Sequence, residues 1–340
     1  MNEIDTDTCL LAEPTQTNVA SVEPRVISAA VVGGTGYAGA ELVTILERHR
    51  GVDLVASWSS KFTLDALDHS RPEVVFLATP NEVSADLVPA MLDRGIRVID
   101  LSGAFRLHES ALYPHWYGFA HSRPELLQEA VYGLTEWCNG ELKTARLVAN
   151  PGCYPTSILL ALRPLTFILD RDQAVICDSK SGVSGAGKKA DLDWSFAEVA
   201  GNFKAYGVGT HRHEPEIRQG LRLGQRAPLV FVPHLLPTVR GILSTMHVAF
   251  AHTVTDAEIA SLFTEAYAKA PFVKVLPAGK LPQLKSVVNT PKAEIGWQLL
   301  HGGKRAVIVS VIDNLLKGAA SQAVQNFNRM YGWAETEGLQ

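Results

Sequence analysis

Short apolar runs alternate with helical spacing in the first part of the chain. Residues 25–32 form an apolar run with β-branched residues that ends at glycines, which is typical of a buried parallel strand. The same patterns predict helices at 38–49 and 83–94, and strands at 52–58, 74–78 and 97–101. Because strands and helices alternate, we predict an α/β fold with a Rossmann-type doubly wound parallel sheet.

The pattern changes after Asn150. It predicts strands at 175–179, 229–233, 243–252 and 306–312, with helices at 257–268 and 319–331. Partial alternation in 243–252 is typical of a sheet with one exposed face. We therefore expect a flexible leader at 1–24, a Rossmann domain at 25–150 completed by a C-terminal helix within 313–332, and a second α+β domain with a mixed sheet at 151–312.

Composition limits the possible partners. The chain has 340 residues, of which 46% are hydrophobic and 19% charged, so two ordered domains are expected. A net charge of −4 gives no electrostatic reason to expect nucleic acid or a membrane surface. The chain has no apolar run of 18 residues, and its first residues resemble neither a secretory signal nor an organelle presequence, so we expect a cytoplasmic protein. Its four cysteines are widely spaced, which disfavours a zinc ribbon or a disulfide framework.

A glycine-rich segment follows the first predicted strand. Gly33, Gly36 and Gly39 fit the spacing G-x-x-G-x-x-G and open a predicted helix. Glycines there permit a tight turn and let the backbone approach a pyrophosphate at the helix N-terminus. We therefore predict a dinucleotide site, with a plain turn as the alternative. Its residues would be Gly33, Thr35, Gly36, Tyr37, Ala38 and Gly39.

The end of the second predicted strand bears on the choice of cofactor. NAD sites usually place an acidic residue there, for the ribose 2′-hydroxyl. Here the strand is followed by Ser59, Ser60 and Lys61, two hydroxyls and a cation. These residues suit a 2′-phosphate and favour NADP; the alternative is that Lys61 is only a solvated loop charge.

The segment 150–156, Asn-Pro-Gly-Cys-Tyr-Pro-Thr, leads into an apolar helix. Cys153 would lie at the helix N-terminus, where the dipole and free N–H groups favour a thiolate and can hold an oxyanion. We interpret Cys153 as a nucleophile. The alternative, a buried structural thiol, is assigned to Cys138 and Cys177, and Cys9 lies in the leader.

Two histidines one residue apart are the best proton-transfer candidates. His211 and His213 are followed by Glu214 and Glu216, carboxylates that could fix the imidazole tautomers. A zinc site is the rival interpretation, but no third Cys or His is clustered with them, so we predict no metal.

A second glycine-rich segment spans 181–189. It lacks the Gly-Lys-Ser/Thr ending of a P-loop, which disfavours ATP binding. It could close over the nicotinamide or cradle a phosphate. A flexible connector is the alternative.

Five of these segments together resemble one enzyme family. Residues 33–39, 149–156, 181–188, 211–217 and 313–320 resemble the N-acetyl-γ-glutamyl-phosphate reductases of arginine biosynthesis, and the likeness runs from about Arg25 to Tyr331. The motif at 150–156 is highly specific to that family. Aspartate-semialdehyde dehydrogenases share the general plan but have a different cysteine motif.

The resemblance implies a thioester mechanism. Cys153 would attack the acyl phosphate of N-acetylglutamate 5-phosphate, and NADPH would reduce the thioester to the semialdehyde. Of the two histidines, His213 would transfer the proton and His211 would support it, with the reverse assignment as the alternative. Further implied contacts are Ser181, Gly182 and Asn314 for the cofactor, and Arg106, Asn150 and Ser184 for the substrate. A homodimer or homotetramer, formed through the second sheet, is also implied.

Some positions depart from the family pattern. Ala104 stands where an acidic residue is usual, and Asn81 and Glu82 stand where Pro80 is often followed by His-Gly. Two rival functions remain open on the sequence alone. One is the same reaction on an N-acylated aminoadipyl phosphate of lysine biosynthesis, and the other is a non-catalytic NAD(P)-binding sensor.

Overall fold

The computed structural model describes residues 25–59, 62–138, 140–188, 193, 195–224 and 227–340. The leader predicted at 1–24 lies outside the described residues. In the described part, the strands form two sheets, of six and seven strands. No helix in these segments combines the length and the apolar character needed to cross a membrane.

The first sheet is parallel throughout, in the order β2-β1-β3-β4-β6-β5. Its strands are β1 (Ile27–Val32), β2 (Val52–Trp58), β3 (Val74–Leu77), β4 (Arg97–Asp100), β5 (Val131–Tyr132) and β6 (Leu147–Ala149). Its connecting helices are α1 (Tyr37–Leu46), α2 (Leu64–Ser70), α3 (Asn81–Asp93), α4 (Tyr113–Trp116) and α5 (Pro124–Glu129). The doubly wound parallel sheet is confirmed. Strand β3 is buried along its whole length, as expected for a strand covered on both faces.

The second sheet is mixed, in the order β11-β12-β13-β10-β7-β9-β8, which confirms the expected α+β arrangement. Its strands are β7 (Val175–Gly182), β8 (Lys204–Ala205), β9 (Leu229–Leu236), β10 (Ile242–Ala249), β11 (Val273–Val275), β12 (Ala293–Leu300) and β13 (Arg305–Ile312). The helices of this region are α6 (Cys153–Leu162), α7 (Phe196–Val199), α8 (Glu214–Gly220) and α9 (Asp256–Tyr267).

One face of the second sheet is covered and the other is partly open. Helix α6 is almost wholly buried and packs on β10 and β13. On the other face, Ile176 of β7 pairs in register with Val230 of β9 and His247 of β10, and all three side chains are exposed. We call this exposed row the outer face of the second sheet.

The last helix returns to the first sheet. A π-helical turn, Leu316–Ala320, leads into α10 (Ser321–Tyr331). Val324 and Phe327 of α10 share a buried core with Ile27, Val31 and Phe76. Residues far apart in sequence therefore complete one face of the first sheet.

Short 3-10 turns occur at Ser110–Leu112, Thr135–Trp137, Glu141–Lys143, Arg163–Leu165, Val183–Ala186, Leu284–Ser286 and His301–Gly303.

Candidate active site

A cavity of about 630 Å³ opens where α1 and α6 begin. This volume is within the range of small-molecule sites. Its walls come from segments that follow strands of both sheets and from the π-helical turn. The lining residues are Gly36–Gly39, Ala78–Glu82, Leu101–Gly103, Arg106, Tyr117, Pro151–Cys153, Ser184–Lys188, Arg212, His213, Asn314, Leu315, Gly318 and Ala319.

The first glycine turn has the shape of a phosphate cradle. Gly33 has φ +91°, and a Cβ there would lie 2.3 Å from the oxygen of Ala78. A Cβ on Gly39 would lie 2.2 Å from the oxygen of Gly33. At Gly36 a Cβ would meet only that oxygen, at 3.6 Å, and no side chain caps α1. The free N–H groups of the first turn therefore face a space that an anion fits.

Only some of the residues predicted to bind the cofactor line the cavity. Gly36, Tyr37, Ala38 and Gly39 line the cavity, whereas Gly33 and Thr35 shape the turn beside it. Ser59 is half-buried just after β2 and does not line the cavity. Ser60 and Lys61 lie outside the described residues.

Cys153 is the first residue of α6 and lines the cavity. Gly152 precedes the helix with extended backbone, and Pro155 lies in the first turn, where proline is tolerated. On the other side, a Cβ on Gly318 would lie 2.8 Å from the Cβ of Cys153. The π-helical turn can approach the cysteine this closely only because residue 318 is a glycine.

The helix N-terminus is not the strongest influence on this thiol. Burial raises the pKa of the Cys153 thiol to about 11, although the charge of Arg106 and the N–H of Tyr154 lower it. Desolvation of the charged form outweighs the helix N-terminus. The resting group is a thiol, so its deprotonation needs a base.

His213 is placed to act on this thiol. Its side chain lines the cavity, and a Cβ on Gly152 would lie 2.5 Å from its Nε2. Burial lowers the pKa of His213 well below its usual value, and nearby His211 and Arg106 lower it further. Nε2 lies 3.5 Å from Nη1 of Arg106, and Nδ1 has no hydrogen-bond partner among the described residues. His213 is therefore a neutral imidazole beside Cys153, free to accept a proton.

His211 lies behind His213. Its Nδ1 accepts a hydrogen bond from the backbone N–H of His213 at 3.1 Å, and the two rings meet edge to face with centroids 4.7 Å apart. Burial lowers the pKa of His211 to about 4. It is absent from the cavity lining, so it supports the position of His213.

Arg106 and Glu216 form a buried pair beneath the cysteine loop. Glu216 accepts hydrogen bonds from Gly152 N–H at 2.8 Å, from the Tyr132 hydroxyl at 2.7 Å and from Arg106 Nη1 at 3.4 Å. Arg106 also donates to the carbonyls of Asn150 and Leu101. The expectation that Glu216 fixes a histidine tautomer is therefore wrong: its carboxylate holds the backbone that precedes Cys153.

Comparison with known proteins decides the family. Residues 61–145 match the semialdehyde dehydrogenase NAD binding domain, and residues 153–314 match the semialdehyde dehydrogenase dimerisation domain. An N-acetyl-gamma-glutamyl-phosphate reductase of Nitrosospira multiformis is 46% identical over 331 residues, covering 90% of this chain and 96% of that protein. One of Geobacillus kaustophilus is 43% identical, covering 92% and 98%. The chain belongs to the N-acetyl-gamma-glutamyl-phosphate reductase family. The resemblance inferred from its motifs is confirmed, and so is its assignment as an oxidoreductase with a nicotinamide cofactor.

Solved structures support the fold. An aspartate semialdehyde dehydrogenase II of Vibrio cholerae superposes with a TM-score of 0.69 at 18% identity, covering 90% of this chain and 98% of that one. An aspartate semialdehyde dehydrogenase of Candida albicans superposes with a TM-score of 0.64 at 14% identity, covering 90% and 99%. The two-sheet plan of this reductase is therefore shared with distant dehydrogenases.

Three residues predicted for ligand binding in the reductase lie behind the cavity. Asn150 is fully buried, donating to the carbonyl of Ala319 and accepting from Asn326. Ser181 and Gly182 end β7, where a Cβ on Gly182 would lie 2.7 Å from the carbonyl oxygen of Val239. None of the three lines the cavity. Their predicted ligand contacts are corrected to a structural role, because their polar atoms face neighbouring backbone and side chains.

The part of the second glycine-rich segment that reaches the cavity is 184–188. Ser184 Oγ accepts a hydrogen bond from Asn314 Nδ2 at 3.0 Å, and Asn314 Oδ1 accepts one from Gly241 N–H at 2.7 Å. The amide of Asn314 is thus fixed at the cavity wall. Lys188 reaches the carbonyl oxygen of Thr35 at 3.5 Å, so the two glycine-rich segments meet across the cavity.

Several cavity residues were not predicted from the sequence, among them Tyr117 and Arg212. The sequence pattern does not distinguish Tyr117, because this tyrosine follows a short helix and belongs to no motif. Arg212 lies between the two predicted histidines. Its position in that motif was a usable signal, but only the imidazoles were interpreted. In the described part of the chain, no group of three or more His, Cys, Asp or Glu side chains could hold a metal ion.

Proposed function

We propose that this protein reduces N-acetyl-L-glutamate 5-phosphate to N-acetyl-L-glutamate 5-semialdehyde, releasing phosphate, as a cytoplasmic enzyme of arginine biosynthesis. The observation that carries the proposal is the position of Cys153. It begins α6 in the same cavity as the first glycine turn and the neutral imidazole of His213. The names of the relatives at 42–46% identity support the substrate.

The first half of the reaction makes a thioester. His213 takes the proton of the Cys153 thiol, and the thiolate attacks the acyl carbonyl carbon. The free N–H groups of the first turn of α6 stabilise the oxyanion. The bond to the phosphate oxygen then breaks, and phosphate leaves. Arg106, which lines the cavity, anchors the phosphate in charge-assisted hydrogen bonds.

The second half releases the aldehyde. When bound, the nicotinamide supplies the hydride that reduces the thioester carbon. Asn314 and Ser184 orient the carboxamide through the fixed amide described above. The thiohemiacetal on Cys153 then collapses, which frees the semialdehyde and returns the thiolate to be reprotonated by His213.

The cofactor is proposed to be NADP. The hydroxyls and cation of Ser59, Ser60 and Lys61 suit a 2′-phosphate, as argued from the sequence. Replacing Lys61 with Glu should raise the KM for NADP and leave the KM for NAD nearly unchanged. Equal effects on the two cofactors would contradict the assignment.

The reaction is tested in reverse, as phosphate-dependent reduction of NADP by N-acetylglutamate semialdehyde. The wild type should be active, and Cys153→Ser should lose at least about a thousandfold in kcat. Cys138→Ser is the matched control and should retain activity. An inactive wild type, or an active Cys153→Ser variant, would overturn the proposal; the second result would favour a sensor. Higher kcat/KM with the aminoadipyl semialdehyde would instead assign the longer substrate.

A homodimer or homotetramer formed through the outer face of the second sheet is also proposed. The match of residues 153–314 to a dimerisation domain supports it. Exposed Ile176 and Val230 on that face supply apolar area for a second copy.

A further inference from the structure

The phenol of Tyr117 is an unpaired hydrogen-bond donor in the wall of the cavity. Its residue is 8% exposed, and its Oη has no partner among the described residues. Burial raises the pKa of Tyr117 well above its usual value, so the group remains a protonated donor. Buried polar groups are nearly always paired, and an unpaired one at a ligand cavity indicates a partner supplied by the ligand.

The surroundings hold this phenol in one place. The ring of Tyr117 stacks on Tyr113, with centroids 5.1 Å apart and planes at 27°. It also packs on Gly103, where a Cβ would lie 2.2 Å from Cε1 and 2.8 Å from Oη. Gly103 N–H donates to Asn81 Oδ1 at 2.8 Å, which fixes this loop. The hydroxyl is therefore preorganised rather than free to turn toward a protein acceptor.

Arg212 supplies a cation to the same cavity. Its side chain is exposed, lines the cavity and makes no hydrogen bond or ion pair with the described residues. Its charge lowers the pKa of Tyr117, of Cys153 and of His213, so it acts on both the phenol and the reacting groups. By contrast, the guanidinium of Arg106 is held by Glu216 and two carbonyls beneath the cysteine loop, where it is assigned to the phosphate.

We propose that Tyr117 and Arg212 form a subsite for the α-carboxylate of the substrate. The inference rests on the proposed function, which supplies a substrate with a second anionic group besides its acyl phosphate. A carboxylate accepts two N–H bonds from a guanidinium and still has a lone pair for a phenol. With Arg106 anchoring the phosphate near Cys153, the unpaired Arg212 and Tyr117 recognise the far end and fix the length of the substrate.

The test compares two aldehydes: N-acetylglutamate 5-semialdehyde and its analogue with an α-carboxamide. The wild type should prefer the carboxylate. Tyr117→Phe and Arg212→Gln should each raise the KM for the carboxylate substrate about tenfold or more, as the loss of a hydrogen bond to a charged group does, and Tyr117→Phe should change kcat less than about threefold. Both variants should lose most of the preference over the amide. Tyr331→Phe and Arg48→Gln, which lie outside the cavity, are the matched controls and should behave as wild type.

A binding measurement separates this proposal from the proposed function. N-acetylglutamate should protect Cys153 of the wild type from iodoacetamide, and its α-amide should protect only at higher concentration. The two variants should lose this difference. If the wild type reduces no acyl phosphate yet shows the difference, the proposed function fails and the subsite stands. Variants that keep the wild-type preference in both measurements would overturn the subsite.

Discussion

At the scale of single residues, the reacting groups meet around Gly152. His213, Arg106 and Glu216 all reach this residue, and two of them would collide with a side chain there. The arrangement keeps the thiol and the imidazole neutral at rest, because burial raises the pKa of Cys153 and lowers that of His213. Charge therefore develops only as proton transfer begins.

The raised pKa of Cys153 predicts a steep pH dependence of alkylation. Only the thiolate reacts, so its rate with iodoacetamide should rise about tenfold per pH unit between pH 7 and 10 and level off only near pH 11. Mass spectrometry of the labelled peptide measures the rate at each pH. Cys138, with a pKa raised to about 12, should react more slowly throughout. A plateau below pH 8 would show that the thiol is already ionised at rest.

Removing the charge of Glu216 should destabilise the protein. Glu216→Gln leaves the buried guanidinium of Arg106 without its counter-ion, which should lower the free energy of unfolding by about 3 kcal/mol. Urea titration measures the change. Glu214→Gln, in the first turn of the same helix, should change the free energy by less than about 0.5 kcal/mol. Equal effects of the two substitutions would contradict this account.

Sequence reasoning could locate Cys153 because its signals are adjacent: a glycine before it, a proline after it and an apolar helix beyond. It could also find the pair His211 and His213. It could not predict the contact between Arg106 and Glu216, because these residues are 110 positions apart. It also misplaced Asn150, since membership of a motif does not tell a cavity residue from one that holds the loop from behind.

At the scale of secondary structure, the glycines of the strand–turn–helix unit that begins the first sheet are needed for different reasons. Gly33 and Gly39 lie against backbone, whereas Gly36 faces the cavity. Gly33 and Gly39 are required because a side chain there would collide with backbone. Gly36 is required because a side chain there would occupy space for a ligand.

Two substitutions separate these demands. Gly39→Ala places a Cβ against the oxygen of Gly33 and should lower the free energy of unfolding by about 1–3 kcal/mol. Gly36→Ala has room for its methyl group, so its Tm should stay close to wild type while its Kd for NADPH rises. Thermal unfolding and fluorescence titration provide the two readouts. An unstable Gly36→Ala variant would contradict the separation.

Elements with one clear period could be predicted, and those with mixed signals could not. Strand β2 was predicted with its observed bounds, and α3 within two residues. Strand β12 was missed because Glu294 and Gly296 interrupt its apolar run; both are buried, and a Cβ on Gly296 would lie 2.2 Å from the oxygen of Lys280. The π-helical turn before α10 also has no periodic signature, since it is defined by backbone hydrogen bonds from Gly318 N–H to the oxygen of Asp313 and from Ala320 N–H to the oxygen of Leu315.

At the scale of the whole molecule, the two sheets have different roles. The first sheet contributes the glycine turn, and the second carries an open face that a second copy can cover. The cavity lies where the two meet, so each part supplies groups that the other lacks.

A charge on the outer face of the second sheet should weaken self-association. Val230→Asp places a carboxylate beside Ile176 in the exposed row, where its desolvation in an interface would be costly. Light scattering after size exclusion should show a smaller mass than for wild type. Val26→Asp, which is exposed outside the second sheet, should leave the mass unchanged. An unchanged mass for both variants would place the interface elsewhere.

The return of α10 to the first sheet has a consequence for synthesis on the ribosome. The core that Ile27 and Phe76 share with Phe327 cannot close until some 250 further residues have been translated after Phe76. Meanwhile, the strands of the second sheet emerge and can pair with one another. A chain that ends at Ile312 and has left the ribosome should therefore have a protease-resistant second sheet and a protease-sensitive first one, so that the part made first is the last to become native.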